Sequence, residues 1–197
     1  MPLDPLPRGS LSPDKREAIL EASLDLFVSR GFHGTTVPEV AERAGVGAGT
    51  IYRYFASKET LVNELYRDWK GQMARIMLDR FPIDAPAREQ FHTFWGRLVQ
   101  FFVDHTKAFW FLEIHHHADY LDERSRALEQ RMTDFGIAFI QGAQQRHQLK
   151  PISPLLLIGI VLGAFTGVVR KASETGIPLD ADAWNDAEQC TWEAIRI

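Results

Sequence analysis

Helix start signals recur along this chain, and each one precedes apolar residues spaced three and four positions apart. A serine followed by proline occurs at residues 12–13 and again at 153–154, where the serine can cap a helix and the proline fits its first turn. Thr36 and Glu39 form a capping-box pair, and Ser57 precedes a long run at helical spacing. No alternating run of β-branched residues is long enough to predict a strand. The sequence therefore predicts an all-α protein.

The predicted helices form a small N-terminal module and a larger helical body. They cover residues 12–31, 36–45, 48–55, 57–80, 91–105, 107–117, 122–146, 155–174 and 180–197. Residues 1–11 are rich in proline and glycine, and we expect them to form a disordered arm. We place the first domain at residues 12–58 and the second at residues 59–197.

Composition excludes several classes of protein. With 45% hydrophobic residues the chain can bury a core, and its net charge of −4 excludes a uniformly basic nucleic-acid or membrane-surface binder. Cys190 is the only cysteine, which excludes an internal disulfide and a thiolate zinc site. The longest apolar stretch, residues 155–169, is shorter than the roughly 20 residues of a membrane span, and the N-terminus has no signal-peptide pattern. We expect a soluble cytoplasmic protein with no membrane partner.

Residues 36–55 predict two short helices joined by a tight turn. Gly45 and Gly47 lie in the turn, where glycine supplies backbone conformations with positive φ. The second helix starts with Ala48 and Gly49, which have little or no side chain. This arrangement is typical of a helix-turn-helix, and a helix that starts this way can lie deep in the major groove of DNA.

The second of these helices has two chemically different faces. Ile51 and Phe55 are four residues apart and can pack inward. We expect Thr50, Arg53 and Tyr54 to point outward, where a hydroxyl, a guanidinium and a phenol can contact phosphates and base edges. The alternative, a compact helical hairpin in a metabolic protein, gives no packing reason for an outward arginine and tyrosine.

A series of anchor residues runs through this segment and its flanks. They are Ile19, Leu20, Leu26, Phe27, Gly31, Phe32, Thr35, Thr36, Val40, Ala41, Ala44, Gly45, Val46, Gly49, Thr50, Ile51, Tyr52, Tyr54, Phe55, Lys58, Glu59 and Leu61. In this order they resemble the DNA-binding domain of the TetR family of repressors. The match covers a quarter of the chain, and residues 80–197 share only length and helical pattern with that family's variable ligand-binding half.

The resemblance implies a homodimeric transcriptional repressor that releases double-stranded operator DNA when a small-molecule effector binds. It implies neither an enzyme nor a cofactor, and two-fold symmetry implies a palindromic operator. It places Arg53 near base edges. It places these side chains at phosphates: Thr36, Thr50, Tyr52, Tyr54 and Lys58. Together with Ala48 and Gly49 they form the predicted DNA-binding set.

Two positions depart from the family pattern, and the basic charge is modest. Pro38 stands where relatives often carry a polar side chain that reaches DNA, and Gly47 replaces the more usual serine cap of the recognition helix. Between Arg8 and Lys58 there are seven Lys/Arg against six Asp/Glu. DNA binding should therefore depend on a local stripe. This stripe comprises Arg8, Lys15, Arg16, Arg53 and Lys58.

The body is rich in large aromatic side chains, which could form either a packed core or the walls of an apolar pocket. The resemblance favours a pocket for an apolar or aromatic effector. The candidate ligand-binding residues are Trp69, Trp95, Phe102, His105, Trp110, Met132, Phe135 and Phe139.

Three consecutive histidines at 115–117 suggest a metal site or, in a rival function, a metal-dependent enzyme. Successive helical residues point about 100° apart, so adjacent imidazoles cannot converge on one ion. A metal would need one of them together with His92, His105, Glu113 or Asp119. No nucleophile–base pair, HExxH or phosphate loop supports an enzyme. We predict a polar helix end and no metal.

Three glycines recur every fourth residue in the predicted helix 155–174. Glycine inside a helix costs up to about 1 kcal/mol, so three on one face indicate close approach by another helix. One alternative is a dimer interface with the last helix, and the other is room for Phe135 or Trp110 of the same chain. The predicted interface residues are Gly159, Gly163, Gly167, Trp184, Thr191 and Ile195, with Ala187 on the same stripe of the last helix.

Overall fold

The structure is a computed structural model that describes residues 12–115 and 118–197. The helices in these residues are α1 (Pro13–Arg30), α2 (Val37–Arg43), α3 (Ala48–Tyr54), α4 (Lys58–Leu78), α5 (Ala87–Asp104), α6 (Thr106–His115), α7 (Glu123–Gln145), α8 (Pro154–Thr175) and α9 (Ala181–Ile195). The one extended pairing found there is a bridge between Leu149 and Arg196. The all-α prediction is confirmed. The predicted arm at 1–11 and residues 116–117 lie outside the described residues.

The capping signals mark where helices begin, although not every cap side chain is used. Ser57 Oγ accepts a hydrogen bond from the Thr60 backbone N–H at 3.1 Å, at the start of α4. Ser12 and Ser153 occupy the N-caps of α1 and α8, but neither side chain makes a cap hydrogen bond. Proline at the first turn still favours both starts because its φ suits a helix and its missing N–H needs no partner there.

The chain falls into two compact units. The first joins the chain up to Lys70 with His105–Arg126, and the second joins Gly71–Asp104 with Ala127–Ile197. Helix α4 therefore begins in the first unit and ends in the second. This division differs from a boundary at residue 58, because α6 belongs with the N-terminal helices rather than with the body.

The first unit is built around the apolar faces of α1, α2 and α3. Its buried cluster comprises Ile19, Ala22, Leu26, Val37, Val40, Ala41, Ile51, Phe55 and Leu61. Gly31 ends α1 with φ of 69°, a conformation that glycine adopts without strain. Helix α6 packs against α1 in the same unit.

The second unit has an aromatic core. The ring centroids of Trp95 and Phe165 lie 5.3 Å apart, and Trp184 stacks on Phe165 at 5.3 Å. Trp192 packs on Phe91 at 5.4 Å. These contacts join α5, α8 and α9 through apolar side chains.

Candidate nucleic-acid interface

The start of α2 is fixed by a capping box. The Thr36 backbone N–H donates to Glu39 Oε2 at 2.8 Å, and the Glu39 N–H donates to Thr36 Oγ1 at 3.5 Å. The Thr36 hydroxyl also donates to Glu39 Oε2 at 2.7 Å, and these bonds from Thr36 hold the pKa of Glu39 below its usual value. Thr36 is exposed, so it is accessible to DNA, but its hydroxyl proton is already donated within the cap.

Only one of the two turn glycines needs glycine's conformational freedom. Gly45 has φ of 66°, as predicted for the turn. Gly47 has φ of −73° and ψ of 146°, an extended conformation open to any residue, so the positive φ expected there was wrong. Gly47 is instead the N-cap of α3 and provides no side-chain cap bond.

Helix α3 presents its predicted inner face to the core. Ile51 and Phe55 are each 1% exposed, which confirms their inward orientation. Gly49, Tyr52 and Arg53 are exposed, and we call these three residues the α3 face. Apart from the chain neighbours of Gly49 and the backbone of its own helix, no atom of the described residues lies within 4 Å of a Cβ built on Gly49, so another molecule can approach the backbone of the α3 face closely. Ala48 and Thr50 are half-buried beside it.

The outward orientation expected of Tyr54 was wrong. Its side chain is half-buried against the core of the first unit. Its hydroxyl accepts from the Ser12 N–H at 2.7 Å and donates to the Ser12 carbonyl at 3.0 Å. At about 100° per residue, Tyr54 stands only about 60° around the helix from Ile51, whereas Arg53 stands nearly opposite. Tyr54 therefore ties the end of α3 to the start of α1.

Lys58 joins the start of α4 to the turn between α1 and α2. Its Nζ donates to the carbonyls of Phe32 and Thr35, both at 2.9 Å, and lies 4.2 Å from the centroid of the Phe32 ring. An ammonium has three N–H donors, so one remains for a phosphate. The predicted phosphate role stays a prediction, and the structure adds a positioning role.

Part of the predicted basic stripe is neutralised by α4. The Arg16 guanidinium donates to Glu64 at 2.7 Å and to Asp68 at 3.4 Å, and the bond to Glu64 is the main reason its pKa is raised. Arg8 lies outside the described residues. The stripe is therefore narrower than the sequence count suggests, and the exposed Arg53 is its most prominent described member on α3.

A buried amide that sequence reasoning missed fastens the segment after α6 to α4. Asn63 is 2% exposed, and its Nδ2 donates to the carbonyls of Glu59 and Tyr120, both at 2.8 Å. Its Oδ1 accepts from the Asp122 N–H at 2.7 Å and the Ser125 hydroxyl at 2.8 Å. An asparagine flanked by apolar residues at helical spacing was the available signal.

His115 lies inside the first unit, not at a polar helix end, so that expectation was wrong for this residue. It is 1% exposed, beside the rings of Phe27 and Phe111, and its Nδ1 is hydrogen-bonded to the Tyr120 hydroxyl. Burial lowers the pKa of His115 to about 4 and raises the pKa of Tyr120 to about 12. Both groups are therefore neutral at pH 7. Tyr120 also stacks on Phe32 with centroids 3.9 Å apart.

A metal site finds no support in the part of the chain that the structure describes. No group of three or more His, Cys, Asp or Glu side chains there could hold an ion. His116 and His117 lie outside the described residues.

The predicted ligand-binding residues fall into separate groups. In the first unit the rings of Trp69 and His105 lie 5.2 Å apart, and Trp110 packs on Phe109. In the second unit Trp95 and Phe102 both contact Phe165. Also in that unit, Phe81 lies edge-on to Phe135 and Phe139, and Met132 is half-buried. Their role in binding a ligand stays a prediction.

The glycine face of α8 is open. Gly159, Gly163 and Gly167 are exposed. Apart from each glycine's chain neighbours and the adjacent backbone of α8, no atom of the described residues lies within 4 Å of a Cβ built on any of them. The alternative that these glycines make room for Phe135 or Trp110 was therefore wrong.

The interface assignment of the α9 residues was wrong. Trp184, Thr191 and Ile195 are 8%, 5% and 3% exposed, so they are buried within their own chain. The stripe was correctly recognised as one face of a helix, but that face packs on α5 and α8. Side chains already covered by their own unit leave little surface for a partner.

Helix α8 is also long and apolar enough to cross a membrane, which the 15-residue stretch in the sequence did not suggest. Leu155, Leu156 and Leu162 are exposed beside the glycine face. The core helix of a soluble protein passes the same test of length and composition, so one such helix is weak evidence for a membrane span.

Comparisons with known proteins cover almost the whole chain. The family model described as "Bacterial regulatory proteins, tetR family" matches residues 19–65. The model described as "Tetracyclin repressor-like, C-terminal domain" matches residues 68–197.

Relatives match over different lengths. The chain is 24% identical to the HTH-type transcriptional regulator YhgD of Bacillus subtilis over 174 residues, which are 87% of this chain and 91% of that protein. It is 40% identical to the HTH-type transcriptional repressor KstR2 of Mycobacterium tuberculosis over 68 residues, which are 33% and 34% of the two chains. A crystal structure of a transcription regulator from Marinobacter aquaeolei VT8 has the same fold, with a TM-score of 0.81, 23% identity and coverage of 93% and 96%.

Proposed function

The chain belongs to the TetR family of DNA-binding helix-turn-helix transcriptional regulators, and from this premise we propose that it is a homodimeric repressor acting in the cytoplasm. It binds a palindromic operator and releases it when an apolar or aromatic small molecule binds. The α3 face is the observation that carries the proposal. An exposed guanidinium and phenol flank an exposed glycine there, while Ile51 anchors the opposite side in the core.

The proposed contacts to DNA are of two kinds: contacts to base edges, which recognise the sequence, and contacts to phosphates, which position the helix. Arg53 reads base edges, because a guanidinium on an exposed helix face can bond guanine bidentately. Tyr52, Thr50 and the remaining N–H of Lys58 contact phosphates, which fix the register of the helix without carrying sequence information. Thr36 donates both its N–H and its hydroxyl proton to Glu39, so it positions α2 and does not donate to a phosphate. Tyr54 acts indirectly, by holding α3 against α1.

The open face of α8 supports the homodimer. Its glycines bring the backbone of α8 to the surface, where an identical helix from a second copy can approach closely. Exposed leucines beside the glycines provide apolar area for such a contact. With the buried α9 stripe excluded, the interface is formed by the outer face of α8 together with the exposed face of α9.

Release by an effector is transmitted along α4. This helix starts directly after α3, and Lys58 and Asn63 bond its first turns to the α1–α2 turn and to the segment after α6. A change in the tilt of α4 therefore moves several elements of the first unit together. Linkage requires that an effector that weakens DNA binding is itself bound more weakly by the DNA complex, by the same factor.

Selection of bound sites from random DNA tests the proposal. The recovered operator should be a palindrome with half-site centres about one helical turn, or a multiple of it, apart. Arg53→Ala should weaken the cognate site by about 1–3 kcal/mol and relax the preference at one base position. Tyr52→Phe, on the same exposed face, should weaken all sequences alike. A single asymmetric half-site bound by a monomer, or equal loss of specificity in both variants, would contradict the proposal.

A further inference from the structure

The aromatic core of the second unit contains a buried hydrogen-bond donor without an acceptor. Trp95 is 1% exposed, and its Nε1–H meets no acceptor within the described residues. Among the described residues, one other buried side-chain nitrogen or oxygen lacks a hydrogen-bond partner, and it is His115 Nε2 in the first unit. A buried N–H without a partner has lost its hydration and gained nothing in return, so such donors are rare in folded proteins.

The surroundings of Trp95 are aromatic rather than polar. The Phe91 ring lies 5.9 Å from the Trp95 ring, and the Phe165 ring lies 5.3 Å away at 76°. Phe165 in turn contacts Phe102 and Trp184. An aromatic face is a much weaker hydrogen-bond acceptor than an oxygen atom, so these rings leave the donor essentially unsatisfied.

The other buried polar side chains of the second unit have partners, so its core is not poorly bonded in general. Gln90 Nε2 donates to the carbonyls of Ile83 and Ala85 at 2.8 and 2.6 Å, and Thr191 donates to the Ala187 carbonyl at 2.7 Å. The carboxylate of Glu188 pairs with Arg88 and with His92. Trp95 is the exception among the described residues of this unit.

The absence of a free buried charge among the described residues around Trp95 restricts which ligand group could accept its hydrogen bond. Among the described residues of the second unit, no buried side chain is cationic, and the buried anion Glu188 is already paired. A ligand carboxylate in this core would be buried without a counter-charge, which is strongly unfavourable. An uncharged oxygen would be accommodated at far lower cost.

We infer that the Trp95 Nε1–H anchors the effector, and that the effector is an uncharged, mainly apolar molecule with a carbonyl or ether oxygen. The inference rests on the proposed function and narrows the class of effector. The oxygen accepts the unused hydrogen bond and fixes the orientation of the ligand, while the aromatic rings provide apolar contact. Because Trp95 is enclosed, ligand entry separates side chains of α5 and α8.

Indole NMR tests the inference directly. The chain has five tryptophans, and the resonance missing from the Trp95→Phe spectrum assigns the Trp95 Nε1–H. Three probes share a phenyl ring and a four-carbon chain: butyrophenone, n-butylbenzene and 4-phenylbutyrate. Butyrophenone should move the Trp95 resonance downfield and bind about tenfold more tightly than n-butylbenzene, as expected for one hydrogen bond. The ionised 4-phenylbutyrate should bind more weakly than either, because its carboxylate would be buried without a counter-charge.

Matched variants separate the donor from the volume of the ring. Trp95→Phe should lower the affinity for butyrophenone about tenfold and leave that for n-butylbenzene unchanged. Trp192→Phe makes the same truncation in the same unit and should keep the preference for the ketone. If Trp95→Phe does not fold, β-(3-benzothienyl)alanine at position 95 keeps the bicyclic shape and removes the N–H.

Several results would overturn the inference. They are a Trp95 resonance that no probe moves, a ketone that binds no better than the hydrocarbon, and preferential binding of 4-phenylbutyrate. Failure of this inference can be distinguished from failure of the proposed repressor function. A compound that releases the operator without moving the Trp95 resonance overturns this inference and leaves the repressor in place. Failure to select any operator overturns the repressor, whereas the NMR result stands independently.

Discussion

The two compact units of this molecule both have apolar cores, and they differ in the side chains that join distant parts of the chain. In the first unit, polar side chains bond to distant backbone groups: Tyr54 to Ser12, Lys58 to Phe32, and Asn63 to Tyr120. In the second unit, rings pack on rings around Phe165, and the Trp95 Nε1–H among them has no acceptor in the described residues. Hydrogen bonds constrain direction, whereas apolar packing constrains mainly volume.

This difference matches what each unit is proposed to do. A recognition helix must hold its donors within a narrow range of angles, because a bidentate contact to a base tolerates little displacement. Directional bonds between α1, α3 and α4 provide that precision. An effector site has to accept a new molecule and transmit a displacement, and non-directional contacts between rings can rearrange without leaving many polar groups unpaired.

The largest effect is expected in the aromatic core. Phe165→Ala removes a ring that is 1% exposed and contacts three other rings, so it should lower the free energy of unfolding by about 3–5 kcal/mol. Urea denaturation measures this loss. Val103→Ala, at a position 59% exposed on α5, is the control and should change stability little. Equal effects of the two substitutions would show that the rings do not stabilise the unit.

A smaller but still large effect is expected at the amide of the first unit. Asn63→Leu keeps the volume but leaves the Tyr120 carbonyl, the Asp122 N–H and the Ser125 hydroxyl without their partner. Unpaired buried groups of this kind should lower stability by roughly 2–3 kcal/mol. Asn185→Leu, on the exposed side of α9, serves as the matched control in the same urea titration. An unchanged midpoint for Asn63→Leu would mean that this network is dispensable.

The buried histidine should make the first unit sensitive to acid. Because the pKa of His115 is lowered to about 4, the unfolded chain binds the proton more tightly than the folded chain. The contribution of neutral His115 to the free energy of unfolding should be fully present above the ordinary histidine pKa. It should fall by about 1.4 kcal/mol per pH unit as the pH drops from about 6.5 towards 4. His115→Gln does not titrate, so its stability should fall less steeply over this range. Carboxylates that titrate in both proteins cancel in the difference, and parallel curves would reject the assignment.

The smallest effect separates the two tyrosines of α3. Tyr54→Phe removes both hydrogen bonds to Ser12 and should lower stability by about 1 kcal/mol. Tyr52→Phe alters a side chain that is 56% exposed and should leave the melting temperature unchanged. Differential scanning calorimetry of the pair provides the measurement. A loss of stability in Tyr52→Phe alone would reverse the assignment of the two residues.

Capping residues and apolar spacing predicted the helices well, because each of these signals acts within a single helix. The capping box at Thr36 and the cap at Ser57 satisfy amide groups of their own first turns, so no knowledge of the remaining fold is needed. The inward orientation of Ile51 and Phe55 follows from spacing within one helix in the same way.

What the sequence could not predict depends on contacts distant along the chain. The stripe containing Trp184 and Ile195 identifies one face of α9, but spacing does not tell whether the chain itself or a second copy covers that face. The bond between Tyr54 and Ser12 joins residues 42 positions apart, and the placement of α6 in the first unit depends on its packing against α1. A helical wheel alone would have shown that Tyr54 lies close to the buried side.

In the proposed homodimer, the open glycine face of α8 ties the folding of this protein to its abundance. Each glycine lowers the intrinsic helix stability by about 1 kcal/mol relative to alanine, and nothing in the described part of the chain compensates for this by packing on that face. When a second copy provides the cover, folding and association become one equilibrium, and the apparent free energy of unfolding rises with the logarithm of protein concentration. Dilution would then act on the integrity of α8 itself, so the number of copies made would determine how much of the protein is folded as well as how much is bound to DNA.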